Sequence, residues 1–400
     1  DANGAELDIL VQASHLPRAA ALLARLGFLP LPSLGYAPHR FFVTYDRQSG
    51  SWFKVDVVTQ VAYGSPTPVF YTALAEACLQ RRRRAGAAYV PAPEAELIAL
   101  LLHCVLDKGR FAPAHIERLQ TLRRAVTDEG WMAELLRRYW PAPVDWAWLA
   151  AQIDAEAWED LRAAGRAILR HRSAPQKVAA GLRGVYSRGL RKLNRTLTAR
   201  SPRSLRVALL APDGAGKSTL VQGIRAAYPF PVRTLYMGLY QKRAGRRAVA
   251  ALPGVGLALR LGTLWGRSLQ AIYHQARRRL VIFDRYTYDA LLAPPRRLGR
   301  IQAARRRLIA HACPAPDLVI VLDAPGDVLF ARKGEHSAEA LERQRQQYLA
   351  LRDSIAQLVV VDATQDEEQL RRTALALIWD AQVKRHIGPG ETRIEEVVTA

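Results

Sequence analysis

Short apolar runs at Glu6 to Val11 and at Phe53 to Val58 read as strands, and between them Leu16 to Leu26 repeats its apolar positions at helical spacing and stops at Gly27. That alternation predicts a small α/β unit. From Ala95 to about Ile168 the period becomes helical, with Leu-rich stretches at Glu96 to Leu106 and Ile116 to Ala125 and breaks near Pro113 and Pro141. These stretches predict a helical extension of the first domain. Residues His171 to Arg203 are rich in Arg, Ser and Gly, carry little apolar periodicity beyond one helix, and suit a basic linker with the boundary near Ser201. Beyond it come a buried-type strand (Arg206 to Leu210), a Gly-containing loop, a helix (Lys217 to Ala226) and further strands at Leu280 to Phe283 and Leu318 to Leu322, separated by helical segments. Strands alternating with helices predict a parallel sheet covered on both faces. The expected organisation is an α/β domain with a helical extension over 1–170, a linker over 171–203, a second α/β domain over 204–388 and a polar tail over 389–400.

Composition changes this picture only in part. A chain of 400 residues exceeds one ordinary core, and 50% hydrophobic with 24% charged residues excludes wholesale disorder and fibrous repeats. The longest apolar run, Ala248 to Trp265, is interrupted by Pro253, glycines and Arg260; it is too broken to cross a bilayer but can lie on a surface. No basic stretch followed by an apolar core follows Asp1, so no signal peptide is expected. Cys78, Cys104 and Cys313 are isolated and odd in number, which predicts neither a disulfide framework nor a zinc site and fits a reducing, cytoplasmic location. The net charge of +22 favours polyanionic partners, whether nucleotides, nucleic acid or an anionic membrane surface, without choosing among them. The Arg clusters at 81 to 84, 277 to 279 and 305 to 307 read as solvated helix faces, and no aromatic-interleaved stacking platform accompanies them.

The densest chemical signal runs from Val207 to Thr219: an apolar strand, then Ala211-Pro-Asp-Gly-Ala-Gly216, then Lys217-Ser218-Thr219 opening a helix. Glycines at 214 and 216 allow consecutive backbone N–H groups to face one anion, and the helix N-terminus adds its dipole. Asp213, Gly214, Ala215, Gly216, Lys217, Ser218 and Thr219 are the expected ATP contacts, with Lys217 bridging the β- and γ-phosphates and Ser218 giving a hydroxyl to Mg²⁺. The strict pattern begins with Gly where this chain has Ala211.

A second strand ends in Asp284-Arg285-Tyr286, at the sheet edge where ligands bind. An acid there holds Mg²⁺, directly or through water, and Arg285 neutralises phosphate charge during transfer. A third strand, Asp317 to Asp323, leads through a helix to Arg332-Lys333-Gly334-Glu335-His336. That segment either closes over ATP with Arg332 as a catalytic cation or is a basic helix end answering its dipole.

Together these motifs resemble the thymidylate kinase-like branch of the nucleoside monophosphate kinases, over roughly residues 204 to 385. The resemblance implies a P-loop kinase fold of three layers using ATP and Mg²⁺, with Lys217, Ser218, Asp284 and Arg285 at the phosphates and metal and Arg332 in a lid. The acceptor side departs from the family. Where thymidylate kinases carry an acid and an arginine beside Pro-Gly-Gly, this chain reads Leu235-Tyr-Met-Gly-Leu-Tyr240; after Asp-Arg-Tyr it has Tyr288-Asp289 and then Leu292-Ala-Pro-Pro295. The acceptor is therefore open: a nucleotide, a sugar or a lipid-linked group. For a hydroxyl acceptor, Asp289, one helical turn beyond Arg285, is the candidate base; its other reading is a structural cap.

In the first domain Glu6 and Asp8 share one face of a strand, because side chains alternate with period two, and Asp56 lies on a neighbouring strand. Three converging carboxylates are what two-metal nucleotidyl transfer requires. The pattern, with the helical flank around Leu101-Leu-His103, resembles the nucleotidyltransferase superfamily over residues 1 to 170. The Gly-Ser helix start that such enzymes place upstream of the acids is missing here, so Glu6, Asp8 and Asp56 are either metal ligands or strand-edge charges. His103 reads as a core histidine. Three functions remain open: an ATP-dependent kinase, a nucleotidyltransferase, or an ATP sensor engaging nucleic acid or membrane.

Overall fold

The computed structural model describes residues 5–31, 38–64, 70–140, 144–170, 181–182, 184–186, 189–190, 204–238, 255–292, 299–334 and 336–387. The tail expected over 389–400, most of the expected linker, and Leu239–Tyr240, Ala248–Gly254 and Ala293–Pro295 lie outside the described residues. The chain divides into two compact units, one taking in 6–43 and 54–196, the other 197–400 with residues 1–5 and 44–53.

The first sheet has strand order β1-β4-β3-β2, formed by β1 (Ala5–Leu10), β4 (Ser51–Val58), β3 (His39–Asp46) and β2 (Leu29–Pro30). Helix α1 (Leu16–Arg25) carries Pro17 in its first turn, where a missing N–H costs nothing, and the chain leaves it through Gly27 at φ 82°. Leu23, Phe42, Val55 and Val57 close a small core under this sheet. Two short hairpins follow, β5 (Ala62–Tyr63) with β6 (Phe70–Tyr71) and, beyond helix α2 (Leu74–Gln80), β7 (Arg83–Ala85) with β8 (Ala88–Val90). The Arg81 to Arg84 cluster is thus a helix end running into a hairpin, not a helix face. Arg81 pairs with Asp128, and Arg82 lies over the Tyr89 ring.

Five helices then bury one apolar core: α3 (Pro93–Leu102), α4 (Pro113–Ala125), α5 (Glu129–Tyr139), α6 (Trp146–Asp154) and α7 (Trp158–Arg170). Asp128 and Asp145 cap α5 and α6, each accepting from the backbone N–H three residues on at 2.8 Å. The helix expected over Glu96 to Leu106 changes character midway, since His103–Lys108 widens into a π-helix that ends at Gly109 with φ 63°.

The second unit is built on five parallel strands in the order β10-β11-β9-β12-β13: β9 (Arg206–Leu210), β10 (Val232–Tyr236), β11 (Leu280–Asp284), β12 (Leu318–Asp323) and β13 (Leu358–Asp362). The central strands read as unbroken apolar runs because both sheet faces are covered; Val207 to Leu210 and Val319 to Leu322 are essentially inaccessible. The covering helices are α8 (Lys217–Ala227), α9 (Val255–Ala276), α10 (Arg300–Ala310), α11 (Gly326–Lys333), α12 (Ala338–Ala350) and α13 (Glu367–Ile387). The sheet has β9 at its centre, with the strand order reversing on either side of it, and makes the middle layer of an α/β unit. Within Ala248 to Trp265 the described part, from Val255 on, is the start of one 22-residue helix.

Candidate functional site

The loop from Ala211 to Gly216 leaves the C-terminal end of the central strand β9 and enters α8. Ala211 is fully buried and takes the place of the usual first glycine without a left-handed φ. Gly214 (φ 90°) and Gly216 (φ 83°) occupy the left-handed region that other L-residues disfavour, so the loop turns twice in three residues, the conformation that lets successive amides form an anion-binding concavity. Gly214 has a second requirement. A Cβ there would meet the main-chain oxygen of Leu329, on α11, at 2.6 Å. Ser218 and Thr219 are exposed at the first turn of α8, within reach of a ligand.

Lys217 folds back over the loop. Its Nζ donates to the carbonyls of Ala211 (2.9 Å) and Pro212 (2.7 Å), and the nearest carboxylate, Asp213, is 3.9 Å away. Burial, followed by repulsion from Arg285, lowers its pKa from 10.5 to about 8. The ammonium is a largely buried cation hydrogen-bonded to carbonyls, and the Asp213, Asp284 and Asp289 charges do not offset its desolvation.

Register puts the second motif beside the first, since Asp284 pairs with Leu209 across β11 and β9. The next residue, Arg285, adopts a left-handed φ of 62°, which swings its guanidinium back toward the loop. It donates to Asp213 at 2.7 Å and lies 3.6 Å from Asp289. Burial opposes ionisation of Asp213, but the Arg285, Lys217 and Lys333 charges outweigh it and hold this carboxyl below the usual range.

Asp289 sits in a short 3-10 turn, Thr287–Ala290, not one α-helical turn along. It is 4% exposed, accepts from the Tyr348 hydroxyl at 3.0 Å, and burial pushes its carboxyl above the ordinary range. Its Oδ2 makes no hydrogen bond and lies 3.6 Å from Arg285 Nη1. Tyr348, on α12, also lies 3.4 Å from Arg285. Sequence reasoning missed this tyrosine. The spacing Arg345-x-x-Tyr348 puts two polar groups on one helix face, and Arg345 makes a two-pronged pair with Asp323 at the end of β12, but no motif marks either residue.

Arg332 lies in the last turn of α11 and donates to the carbonyl of Ala363 at 2.9 Å, just beyond β13. It is therefore on the β12–β13 side of the loop, whereas Arg285 and Asp289 are on the β11 side. The helix end is capped by Gly334 with φ 66°. Asp317, at the opposite edge of the sheet, accepts from the Arg206 N–H and pairs with Arg385, a structural role.

In the first unit, carboxylate oxygens of Glu6, Asp8 and Asp56 lie within 4.8 Å of one another. Two of the three already have partners: Lys54 reaches Glu6 at 2.7 Å and His39 Nδ1 reaches Asp56 Oδ2 at 2.6 Å. The other oxygen of Asp56 is buried and makes no hydrogen bond. Burial, then the Asp56 and Glu6 charges, raises the Asp8 pKa. His103 is not a core histidine. It is part-exposed, bonded to Asp107 at 2.8 Å, and its ring meets that of His115 edge-on at 5.7 Å.

No protein-family model matches the chain, and no curated protein matches it. Among solved structures, a thymidylate kinase from Candida albicans aligns at 15% identity over 45% of this chain and 93% of its own, with a TM-score of 0.34. A deoxyadenosine kinase from M. mycoides with bound dATP aligns at 15% identity over 43% of this chain and 98% of its own, with a TM-score of 0.32.

Proposed function

We propose that the second unit is an ATP-dependent phosphotransferase. The observation that carries this reading is Lys217, a buried ammonium held by two carbonyls at the mouth of a nest of amides, with Arg285 one residue contact away. A triphosphate supplies the negative charge that Lys217 lacks, and the N-terminus of α8 adds its dipole. ATP's β- and γ-phosphates would sit over Gly214 to Thr219; Ser218 and Asp284 would hold Mg²⁺, which would supply charge neutralisation for phosphoryl transfer. Arg285 then faces the transferring group, and Asp289 with Tyr348 holds that guanidinium in place. A buried carboxylate committed to Arg285 and Tyr348 serves better as an anchor than as the base for an acceptor hydroxyl. Arg332, on the β12–β13 side, serves the base end of ATP or the lid. The acceptor would enter on the β10–β11 side.

Calorimetry with Mg-ATP, followed by an ATP-consumption assay against a panel of nucleotides, sugars and lipid-linked acceptors, tests the proposal. Absence of Mg-ATP binding at millimolar concentration, on folded protein, refutes it. The depressed pKa of Lys217 gives a second readout. Phosphate binding favours the ammonium, so the bound pKa lies above the free value of about 8. Affinity is then independent of pH below about 8 and falls as pH rises above it, by up to about tenfold per unit, with one proton taken up on binding. Titrations at pH 7 and pH 9 in two buffers of different ionisation enthalpy measure that proton.

A second reading has one observation in its favour. Asp56 keeps a buried, unbonded oxygen and its carboxylate clusters with those of Glu6 and Asp8, which suits a divalent cation, and nucleotidyl transfer is the chemistry such a site supports. Lys54 and His39 would have to yield two carboxylates. We expect Mn²⁺ to bind the wild-type chain and Asp8→Asn to weaken it at least about tenfold, a typical loss for a missing ligand or supporting group; equal Mn²⁺ affinity in the two proteins excludes the metal site.

A further inference from the structure

The outward face of α9 and α10 is apolar where a surface helix is ordinarily polar. Trp265 (56% exposed), Leu269 (66%), Ile272 (37%) and Tyr273 (53%) follow one another at spacings of four, three and one, forming a continuous stripe along α9. Ile301 (73%) and Leu308 (52%) lie seven apart on α10, and Trp265 Nε1 donates to the carbonyl of Ala312, two residues beyond that helix, at 2.9 Å. The stripe on α9 therefore reaches the C-terminal end of α10.

Its charge has a single sign. α9 carries two arginines and α10 four, and neither helix contains an aspartate or glutamate. Arg277 to Arg279 extend the same charge past the end of α9. Lys242, Arg243, Arg246 and Arg247 precede α9 in sequence.

We infer that this face docks the protein on an anionic lipid bilayer. The aliphatic stripe enters the boundary between headgroups and acyl chains, the Trp265 and Tyr273 rings sit at that boundary, and the exposed arginines Arg260, Arg300, Arg305 and Arg307 meet the lipid phosphates. Charge excludes the other occupants. A symmetric contact with a second copy would set arginines against arginines with no carboxylate on the face to answer them, in a protein of net charge +22. A nucleic acid would use the arginines but leave Leu269, Ile272, Ile301 and Leu308 with neither bases to stack on nor groups to bond. No helix among the described residues is long and apolar enough to cross a membrane, so attachment is to one surface.

The test is flotation of the full chain with vesicles of phosphatidylcholine alone and of phosphatidylcholine with about one-third phosphatidylglycerol. Binding is expected only to the anionic vesicles, weakening with salt as the charge contribution is screened. Leu269→Glu is expected to lower the partition coefficient by at least about tenfold, because it removes a buried aliphatic group and adds repulsion from the lipid. Ile301→Glu, at a position even more exposed, gives an independent variant should the first fail to fold, and circular dichroism checks both. The inference is overturned by equal binding to neutral and anionic vesicles, by no binding to either, or by variants that bind like the wild type. It is also overturned by a dimer that Leu269→Glu dissociates, or by duplex DNA that the wild type binds and Leu269→Glu releases.

Discussion

Lys217→Ala lowers ATP-dependent phosphoryl transfer by an expected factor of about a hundred to a thousand, while the protein stays folded. Removing one preorganised cation or donor from a charge-stabilising site costs about 3–4 kcal/mol in transition-state terms, and Lys217 is the most buried such group here. Loss of ground-state Mg-ATP affinity accompanies it. The variant also separates chemistry from folding through pH. In the wild type the Lys217 pKa is about 8 folded and near its ordinary 10.5 unfolded, so the unfolded chain binds more protons between these values and stability rises with pH across that window. Alanine has no such proton, and the contribution disappears. Urea unfolding at pH 8 and pH 10, beside an ATP-consumption assay, reads both effects. A variant that keeps turnover within tenfold of the wild type removes Lys217 from the chemistry and the kinase reading with it.

Much of the second unit was legible in sequence for a definite reason. Val207 to Leu210 and Leu318 to Leu322 are unbroken apolar runs because a central parallel strand is buried on both faces, and the strand-loop-helix order around Lys217 follows from glycine conformations that sequence records directly. Strand β13 is harder to read, because Val359 and Val360 are only partly covered on the sheet edge. The candidate site was legible only where spacing is local. Glu6 and Asp8 share a face by strand period, and the structure brings Asp56 to them. The partners Lys54 and His39 could not be read, since strand register, not spacing, delivers them. Asp289 was misplaced on a helix because propensity does not announce a 3-10 turn, and Tyr348 lies 59 residues from it in sequence. Arg285 is legible from the Asp-Arg-Tyr motif, but the left-handed backbone that aims it is not, because tertiary packing rather than residue type imposes it. The Arg81 to Arg84 reading failed because four arginines fit a helix face and a hairpin equally well by composition.

The loop itself makes the second large prediction, through two glycines that look alike in sequence. Both take a left-handed φ, 90° at Gly214 and 83° at Gly216, and a Cβ in that region costs about 1–2 kcal/mol at either. Their surroundings differ. Around Gly216 an added methyl meets nothing within 4 Å, whereas at Gly214 it lies 2.6 Å from the Leu329 carbonyl oxygen, a main-chain atom fixed within α11. The Gly216→Ala change should therefore cost only the backbone term. For Gly214→Ala, overpacking adds about 1–3 kcal/mol and must be relieved by moving either the loop or α11. Moving the loop turns the amide nest away from the phosphates, so Gly214→Ala is expected to lose Mg-ATP affinity by about a hundredfold, well beyond the effect of Gly216→Ala. Calorimetry and chemical unfolding of the two variants side by side decide it. Equal losses at the two positions would mean that contact with α11 does not set the shape of the loop.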